Sequence, residues 1–338
     1  MRQLLEDLLA GSDLSSAAAD ELLVTLTGGE VDPAMAGALL TALRAKGETP
    51  EEVRGFASAM RRLSSDPGID ASGAVDVVGT GGDRSGSLNL STGAALLTAA
   101  AGVPVVKHGN RSMTSQCGSA DILEAIGLPI PLDADQARRC FDRLGFTYLF
   151  APHYHPAMAS VGPIRRSLGV RTVFNMLGPL TNPAGPRHLV VGAFDTHAAE
   201  LMAGALAGLE IDRAFVLHGA AGWDEPSPIG EFLLYDVSPG SVIRSSRDPA
   251  DLGMARCDPE ALAGGDPAHN ADQLMAVFAG ETGPHRDSIV LGAALALEVT
   301  GRATDPETAV GIAASVLDDG LAMSLLQGLQ AFGARERA

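Results

Sequence analysis

Apolar positions recur at helical spacing through roughly the first 65 residues, with no strand-like alternation. Arg2–Ala10 stops at Gly11 and Ser15–Thr27 stops at Gly28-Gly29. Asp32 and Thr49 stand as caps before Pro33–Ala45 and Pro50–Ser64, each with proline in the first helical position. Short connections between such helices predict a small bundle, which Ser65-Asp66-Pro67-Gly68 ends. From Ala74 the period changes. Val75–Val78, Val103–Val106 and Thr147–Phe150 read as strands; Thr92–Ala101, Ser119–Ile126 and Asp135–Leu144 read as helices, closed by Gly102, Gly127 and Gly145. Ala151 to Pro186 interrupts this with His- and Pro-rich turns, one helix near Pro156–Leu168, and the run Asn175 to Pro183. The alternation resumes with a strand at Leu189–Phe194, a helix at His197–Leu209, and strands at Ala214–Leu217 and Phe232–Tyr235. Beyond Pro267 the pattern is helical, with Ser288–Val299 and Pro306–Phe332 rich in Ala and Leu.

Alternating strands and helices predict an α/β fold with a mainly parallel central sheet flanked by helices. Residues 1–66, completed by the inserted segment 151–186, form a small helical domain; residues 74–150 and 187–338 form the larger α/β domain, with a cleft between them. Ligands of such sheets sit beyond the carboxyl ends of the strands.

Of 338 residues, 46% are hydrophobic and 19% charged, which suits a compact enzyme rather than a disordered chain. The net charge of −17 would repel a long polyanion, so nucleic acid is not the expected partner. Cys117, Cys140 and Cys257 are scattered and odd in number, as expected of reduced thiols in the cytoplasm. The N-terminus lacks the basic region of a signal peptide. The most apolar stretch, Gly93 to Val106, is too short for a bilayer and no membrane partner is expected.

Two glycine-containing loops each lead into a helix. The first reads Gly79-Thr80-Gly81-Gly82-Asp83, followed by Asn89-Leu90-Ser91-Thr92; the second reads Lys107-His108-Gly109-Asn110-Arg111, followed by Ser115-Gln116-Cys117-Gly118-Ser119-Ala120-Asp121. Glycines let the backbone approach a bulky anion, and Ser91 and Ser119 fall where helices begin, so hydroxyls and unpaired N–H groups would face one space. Such a pair suits a ligand with more than one phosphate. The first loop lacks the Walker lysine, and Arg84 stands where a dinucleotide fingerprint needs glycine. Asp83 could orient a cation or a ribose hydroxyl. Lys107 at a strand end suits a pyrophosphate as a point charge, and Asn110 offers donors and an acceptor to a second substrate. His153 and His155 flank Tyr154 without the nearby ligands that zinc would need, so helix capping or cleft lining fits them better. Arg165 and Arg166 could be a solvated basic face, or one could clamp a carboxylate. Asp224-Glu225 could hold magnesium, which uses one or two carboxylates with substrate phosphates, though adjacent acids are common on surfaces.

Taken together, GTGGD with NLST, KHGNR with GSAD, HPAM, RRSLGVRT, NMLGPLTNP and HG…DE resemble the anthranilate phosphoribosyltransferases over nearly the whole chain. The resemblance implies transfer of the phosphoribosyl group of 5-phosphoribosyl 1-pyrophosphate to the amine of anthranilate, in tryptophan biosynthesis. It implies Mg2+, two ions per monomer, and a homodimer. Position by position, it assigns Gly79, Thr80, Gly81, Gly82, Asp83, Asn89, Leu90, Ser91, Thr92, Lys107 and Ser119 to phosphoribosyl pyrophosphate. It assigns Gly79, His108, Asn110, His155 and Arg165 to anthranilate, and Ser91, Asp224 and Glu225 to the metal. Lys107, Asn110 and Arg165 orient and stabilise charge, and no nucleophile is implied. The chain departs from the family pattern at Gln116-Cys117, Pro226 and Gly292. Two other readings share the fold or the loops: a pyrimidine nucleoside phosphorylase and a phosphoribosyltransferase for another aromatic amine. A non-catalytic nucleic-acid-binding relative needs a basic surface that this chain lacks.

Overall fold

The computed structural model of the chain describes residues 1–112 and 116–337. Ser115 of the second loop therefore lies outside the described residues. Four helices, Arg2–Leu9, Ser16–Thr27, Pro33–Lys46 and Pro50–Arg62, open the chain. The predicted caps are in place: Asp32 accepts the N–H groups of Ala34 and Met35, and Thr49 forms a reciprocal capping box with Glu52. Each such cap is worth about 1 kcal/mol.

Seven strands follow in one sheet: β1 Val75–Gly79, β2 Val105–Gly109, β3 Phe146–Phe150, β4 His188–Gly192, β5 Arg213–His218, β6 Phe232–Ser238 and β7 Ser241–Arg247. Their spatial order is β3-β2-β1-β4-β5-β6-β7, with the first five parallel and β6 and β7 antiparallel at one edge. The strands are apolar on both faces because both are covered. Val77, Val190, Phe215 and Leu217 join one core, with the helices Leu90–Ala100, Pro267–Phe278, Pro284–Val299, Pro306–Asp318 and Leu321–Glu336. Val78, Leu189, Val191 and Val216 join the other, with the helix Thr196–Leu206 and the N-terminal bundle. Val161, Val173, Phe174, Met176, Leu177 and Leu180 of the inserted segment belong to that second core.

The structure differs from the sequence reading at several places: β6 runs three residues past the expected Tyr235, the helix expected to reach Leu209 ends at Leu206, and the inserted segment holds two further short helices, Ala151–Tyr154 and Phe174–Leu177. β7 is a further strand; its residues are exposed except at the end, so it carries no buried alternation to announce it. The apolar stretch after Pro306 is two helices, broken where Gly320 takes a left-handed φ of 71°. β2 begins and ends two to three residues later than expected, which puts Lys107 and His108 inside the strand rather than in the loop beyond it. No single helix among the described residues is long and apolar enough to cross a membrane.

Candidate active site

Strand order reverses between β1 and β4, since β1 leads on to β2 on one side while β4 flanks it on the other. Gly79 and Gly192 end these two strands side by side, and the loops that follow them open a crevice. Asp224, 7% exposed, fills its base. Its Oδ2 accepts the N–H of Gly81 at 2.6 Å and the Thr80 hydroxyl at 3.4 Å. A Cβ on Gly79 would run into that carboxylate, and one on Gly192 into the Asp224 carbonyl, so both glycines are demanded by close approach. Gly81 and Gly82, with φ of 66° and 74°, turn the loop over it.

Asp83 receives the Asp224 N–H at 3.3 Å on one oxygen and the Ser85 N–H and hydroxyl, each at 3.1 Å, on the other. Glu225 accepts the Ser91 N–H at 3.1 Å, at the start of the helix Leu90–Ala100. Burial and the charges of Glu225 and Asp83 push the Asp224 carboxyl well above its ordinary range, and burial raises Glu225 to about 7. Among the described residues no three such groups form a closed metal shell. Asp224 and Glu225 instead offer two crowded carboxylates with Ser91 beside them, a donor set that suits a hard divalent cation completing its shell with substrate oxygens.

Lys107 is 2% exposed. Its ammonium donates to the Val77 carbonyl at 2.5 Å and lies within the fields of Asp76, Glu225 and Asp224; burial lowers its pKa. The expected loop lysine is thus a strand lysine that approaches the crevice from beneath. Around the second loop, Ser119 starts the helix Ser119–Ala125 and its hydroxyl meets the Tyr148 hydroxyl at 2.9 Å. The Asn89 amide donates to the Cys117 carbonyl at 3.1 Å and accepts from Asn270 at 2.9 Å, bracing the two loops together. Thr92 is buried with its hydroxyl unpartnered, and the Leu90 side chain belongs to the core, leaving only its backbone for a ligand.

The residues expected to meet the second substrate divide. His108 and His155 are buried with rings 5.1 Å apart, and each leaves Nε2 buried and unpartnered. The Nδ1 of His108 lies 3.1 Å from the Gly178 carbonyl. Burial drives the two rings down to about 3 and about 4, so both are neutral and present a hydrogen-bonding pair. Asn110 is exposed, its Oδ1 taken by the Arg111 N–H at 2.8 Å. Arg165 sits over the Phe174 ring at 5.3 Å, with no ion pair or hydrogen bond to its guanidinium among the described residues; burial lowers its pKa.

Three residues had no role assigned from the sequence, although Arg171 and Asn182 fall within RRSLGVRT and NMLGPLTNP. Asp76 lies buried in β1, Asn182 binds it from 106 residues away, and Arg171 donates to the Gly82 carbonyl at 2.6 Å. Asp76 had one available signal, a lone charge in an apolar strand.

Residues 71–323 match the a/b domain of the glycosyl transferase family, and residues 2–64 match its helical bundle domain. With the glycine loop and acidic pair at the switch point, this defines a two-domain glycosyl transferase. An anthranilate phosphoribosyltransferase of Desulforudis audaxviator is 47% identical over 99% of this chain and 97% of its own, and one of Methanosarcina acetivorans is 44% identical over 96% and 87%. The crystal structure of anthranilate phosphoribosyltransferase from Thermus thermophilus superposes with a TM-score of 0.92 at 40% identity, covering 98% of this chain and 99% of its own. A solved structure of the Saccharomyces cerevisiae enzyme in complex with phosphoribosyl pyrophosphate and Mg superposes with a TM-score of 0.86 at 25% identity, covering 98% of this chain and 97% of its own. The chain belongs to the anthranilate phosphoribosyltransferase family.

Proposed function

We propose that the protein transfers the phosphoribosyl group of 5-phosphoribosyl 1-pyrophosphate to anthranilate, giving N-(5-phosphoribosyl)anthranilate and pyrophosphate in tryptophan biosynthesis. One observation carries the reading beyond the family match. Asp224 lies under the Gly79–Asp83 loop, where a carboxylate beside backbone N–H groups suits a cation bridged to phosphate.

The amine nitrogen attacks C1 of the ribose, the C1–O bond to pyrophosphate breaks, and the nitrogen then releases a proton to water or to the departing pyrophosphate. An aromatic amine is neutral at pH 7, so no strong base is required. Positioning and electrostatics supply the rate. The Gly79–Asp83 loop, Asn89, Ser91, Thr92 and Ser119 hold the phosphates, and Lys107 opposes the charge that develops on the leaving group. His108, His155 and Asn110 line the anthranilate side, and Arg165 approaches its carboxylate. Asp224 and Glu225, with Ser91, hold Mg2+, two ions per monomer, which neutralises pyrophosphate charge when bound.

The same proposal divides the chain into a helical domain, residues 1–66 with 151–186, and an α/β domain, residues 74–150 with 187–338. Closure of the cleft between them excludes water. A cytoplasmic homodimer completes it; light scattering in solution tests the assembly. The reaction is tested by the loss of anthranilate fluorescence on mixing protein, anthranilate, phosphoribosyl pyrophosphate and Mg2+. Loss that depends on both phosphoribosyl pyrophosphate and Mg2+ supports the reading, and no loss removes it.

A further inference from the structure

β1 reads Val75-Asp76-Val77-Val78-Gly79, and Asp76 is its one charged residue, 0% exposed. Burying a carboxylate is costly unless it is paired and hydrogen-bonded. Asp76 has both kinds of partner. Its Oδ1 accepts the backbone N–H of His108 at 3.3 Å and its Oδ2 accepts the side-chain amide of Asn182 at 2.9 Å. The Lys107 ammonium is held at the carbonyl of the next residue, Val77, from where its charge favours the ionised form of Asp76.

These partners lead to opposite sides of the crevice. Lys107 faces Asp224 and Glu225 on the phosphate side. Asn182 anchors the end of the segment that runs back to Gly178, whose carbonyl meets His108, and the His108 ring packs on that of His155. Asn182 also donates to the Val106 carbonyl at 2.8 Å, and Arg61 from the helical bundle holds the Leu180 carbonyl at 2.7 Å. Asp76 is thus the point where the inserted segment is tied to the central strands.

We infer that Asp76 is a positioning residue for both substrates, placing Lys107 for phosphoribosyl pyrophosphate and, through Asn182, the His108–His155 wall for anthranilate. The inference rests on the transfer reaction proposed above. The two arms are separable by substitution. Asp76→Asn keeps the volume but removes the charge that acts on Lys107, and its single amide oxygen can accept from only one of the Asn182 amide and the His108 N–H. Asn182→Ala cuts the second arm and leaves the charge in place.

Steady-state kinetics and calorimetric binding of phosphoribosyl pyrophosphate with Mg2+ are measured for the wild type, both single variants and the double variant. Asp76→Asn is expected to raise both KM values by about 10-fold or more, the scale of a hydrogen bond to a charged group. Asn182→Ala is expected to raise the anthranilate KM alike while leaving the phosphoribosyl pyrophosphate KM within about two-fold, and the double variant should match Asp76→Asn on anthranilate within about two-fold. Equal losses on both substrates in Asn182→Ala, or losses that simply multiply in the double variant, would overturn the inference and leave Asp76 as a stability residue. Should Asp76→Asn fail to fold, the substrate split in Asn182→Ala decides alone. A wild-type protein that consumes no anthranilate would remove the proposed reaction instead. The calorimetric comparison of the wild type with Asp76→Asn would then test the Lys107 arm, an unchanged Kd counting against it.

Discussion

The Oδ2 of Asp224 accepts the N–H of Gly81 at 2.6 Å, so the base of the crevice and the loop above it are one unit. The two glycines that admit Asp224 differ in what a methyl group would strike: at Gly79 the end of a side chain, at Gly192 the backbone carbonyl. A carboxylate can rotate away, whereas a strand-end backbone must shift. Gly79→Ala should therefore fold but displace Asp224, raising the phosphoribosyl pyrophosphate KM and the Mg2+ requirement by about 10-fold. Gly192→Ala should cost stability, on the order of 1–3 kcal/mol. Thermal melts beside a magnesium titration separate the two. An unaltered titration in Gly79→Ala would show that Asp224 has no part in metal or phosphate binding.

Arg171 makes a second long-range tie to the same loop. Its guanidinium donates to the Gly82 carbonyl at 2.6 Å, lies 4.0 Å from the Phe194 ring centroid and stands 3.9 Å from Asp195, while its own carbonyl accepts from Arg44 of the bundle. The Arg171 side chain is 42% exposed, so its ion pair with Asp195 adds little to stability. Its carbonyl bond instead fixes the turn at Gly82. Arg171→Ala should raise the phosphoribosyl pyrophosphate KM by about 5- to 10-fold with little change in melting temperature, and Arg171→Lys should recover only part, since an ammonium cannot both stack and fork. A large fall in melting temperature with an unchanged KM would make Arg171 a bundle strut instead.

These ties explain what the sequence could and could not convey. The glycine loop, the helix starts at Ser91 and Ser119 and the caps at Asp32 and Thr49 were legible because each is a local conformational demand written in adjacent residues. Asp76 and Asn182 were not, because their meaning lies in a contact across 106 positions that no spacing rule reaches. Lys107 was legible as chemistry but misplaced in space. A strand buried on both faces shows no alternation to mark its end, so Lys107 and His108 read as the start of a loop. β7 failed for the opposite reason: the edge is exposed, and its polar residues resemble a linker.

Arg165 tests the anthranilate side. Its guanidinium is half-buried over Phe174, its pKa is lowered by that burial, and no anion meets it among the described residues. A desolvated cation lacking a counter-charge is a ready partner for a carboxylate. Arg165→Ala should raise the anthranilate KM by about 10- to 100-fold, the range for a charge-assisted hydrogen bond, and leave the phosphoribosyl pyrophosphate KM nearly unchanged. Parallel rises in both would mean that Arg165 supports the fold of the segment rather than clamping substrate.

His108 and His155 give the site a pH signature in stability rather than in binding. Burial holds them at about 3 and about 4, below the ordinary 6.5, so the unfolded chain takes up their protons first as pH falls. Their contribution to stability is complete above pH 6.5 and is lost as pH drops from there toward 4; at pH 5 each costs about 2 kcal/mol. Asp76 and Glu225, raised by burial to about 6 and about 7, act in the opposite sense, gaining stability as pH falls toward the ordinary carboxylate range. The wild-type melting curve alone mixes the two. A comparison with His155→Asn, which keeps a hydrogen-bonding tip but does not titrate, isolates the histidine. Between pH 7.5 and pH 5 the wild type should lose more stability than His155→Asn, by on the order of 2 kcal/mol. Equal losses would mean that the His155 ring titrates normally and faces water, and the neutral wall assigned to anthranilate would lose one of its two members.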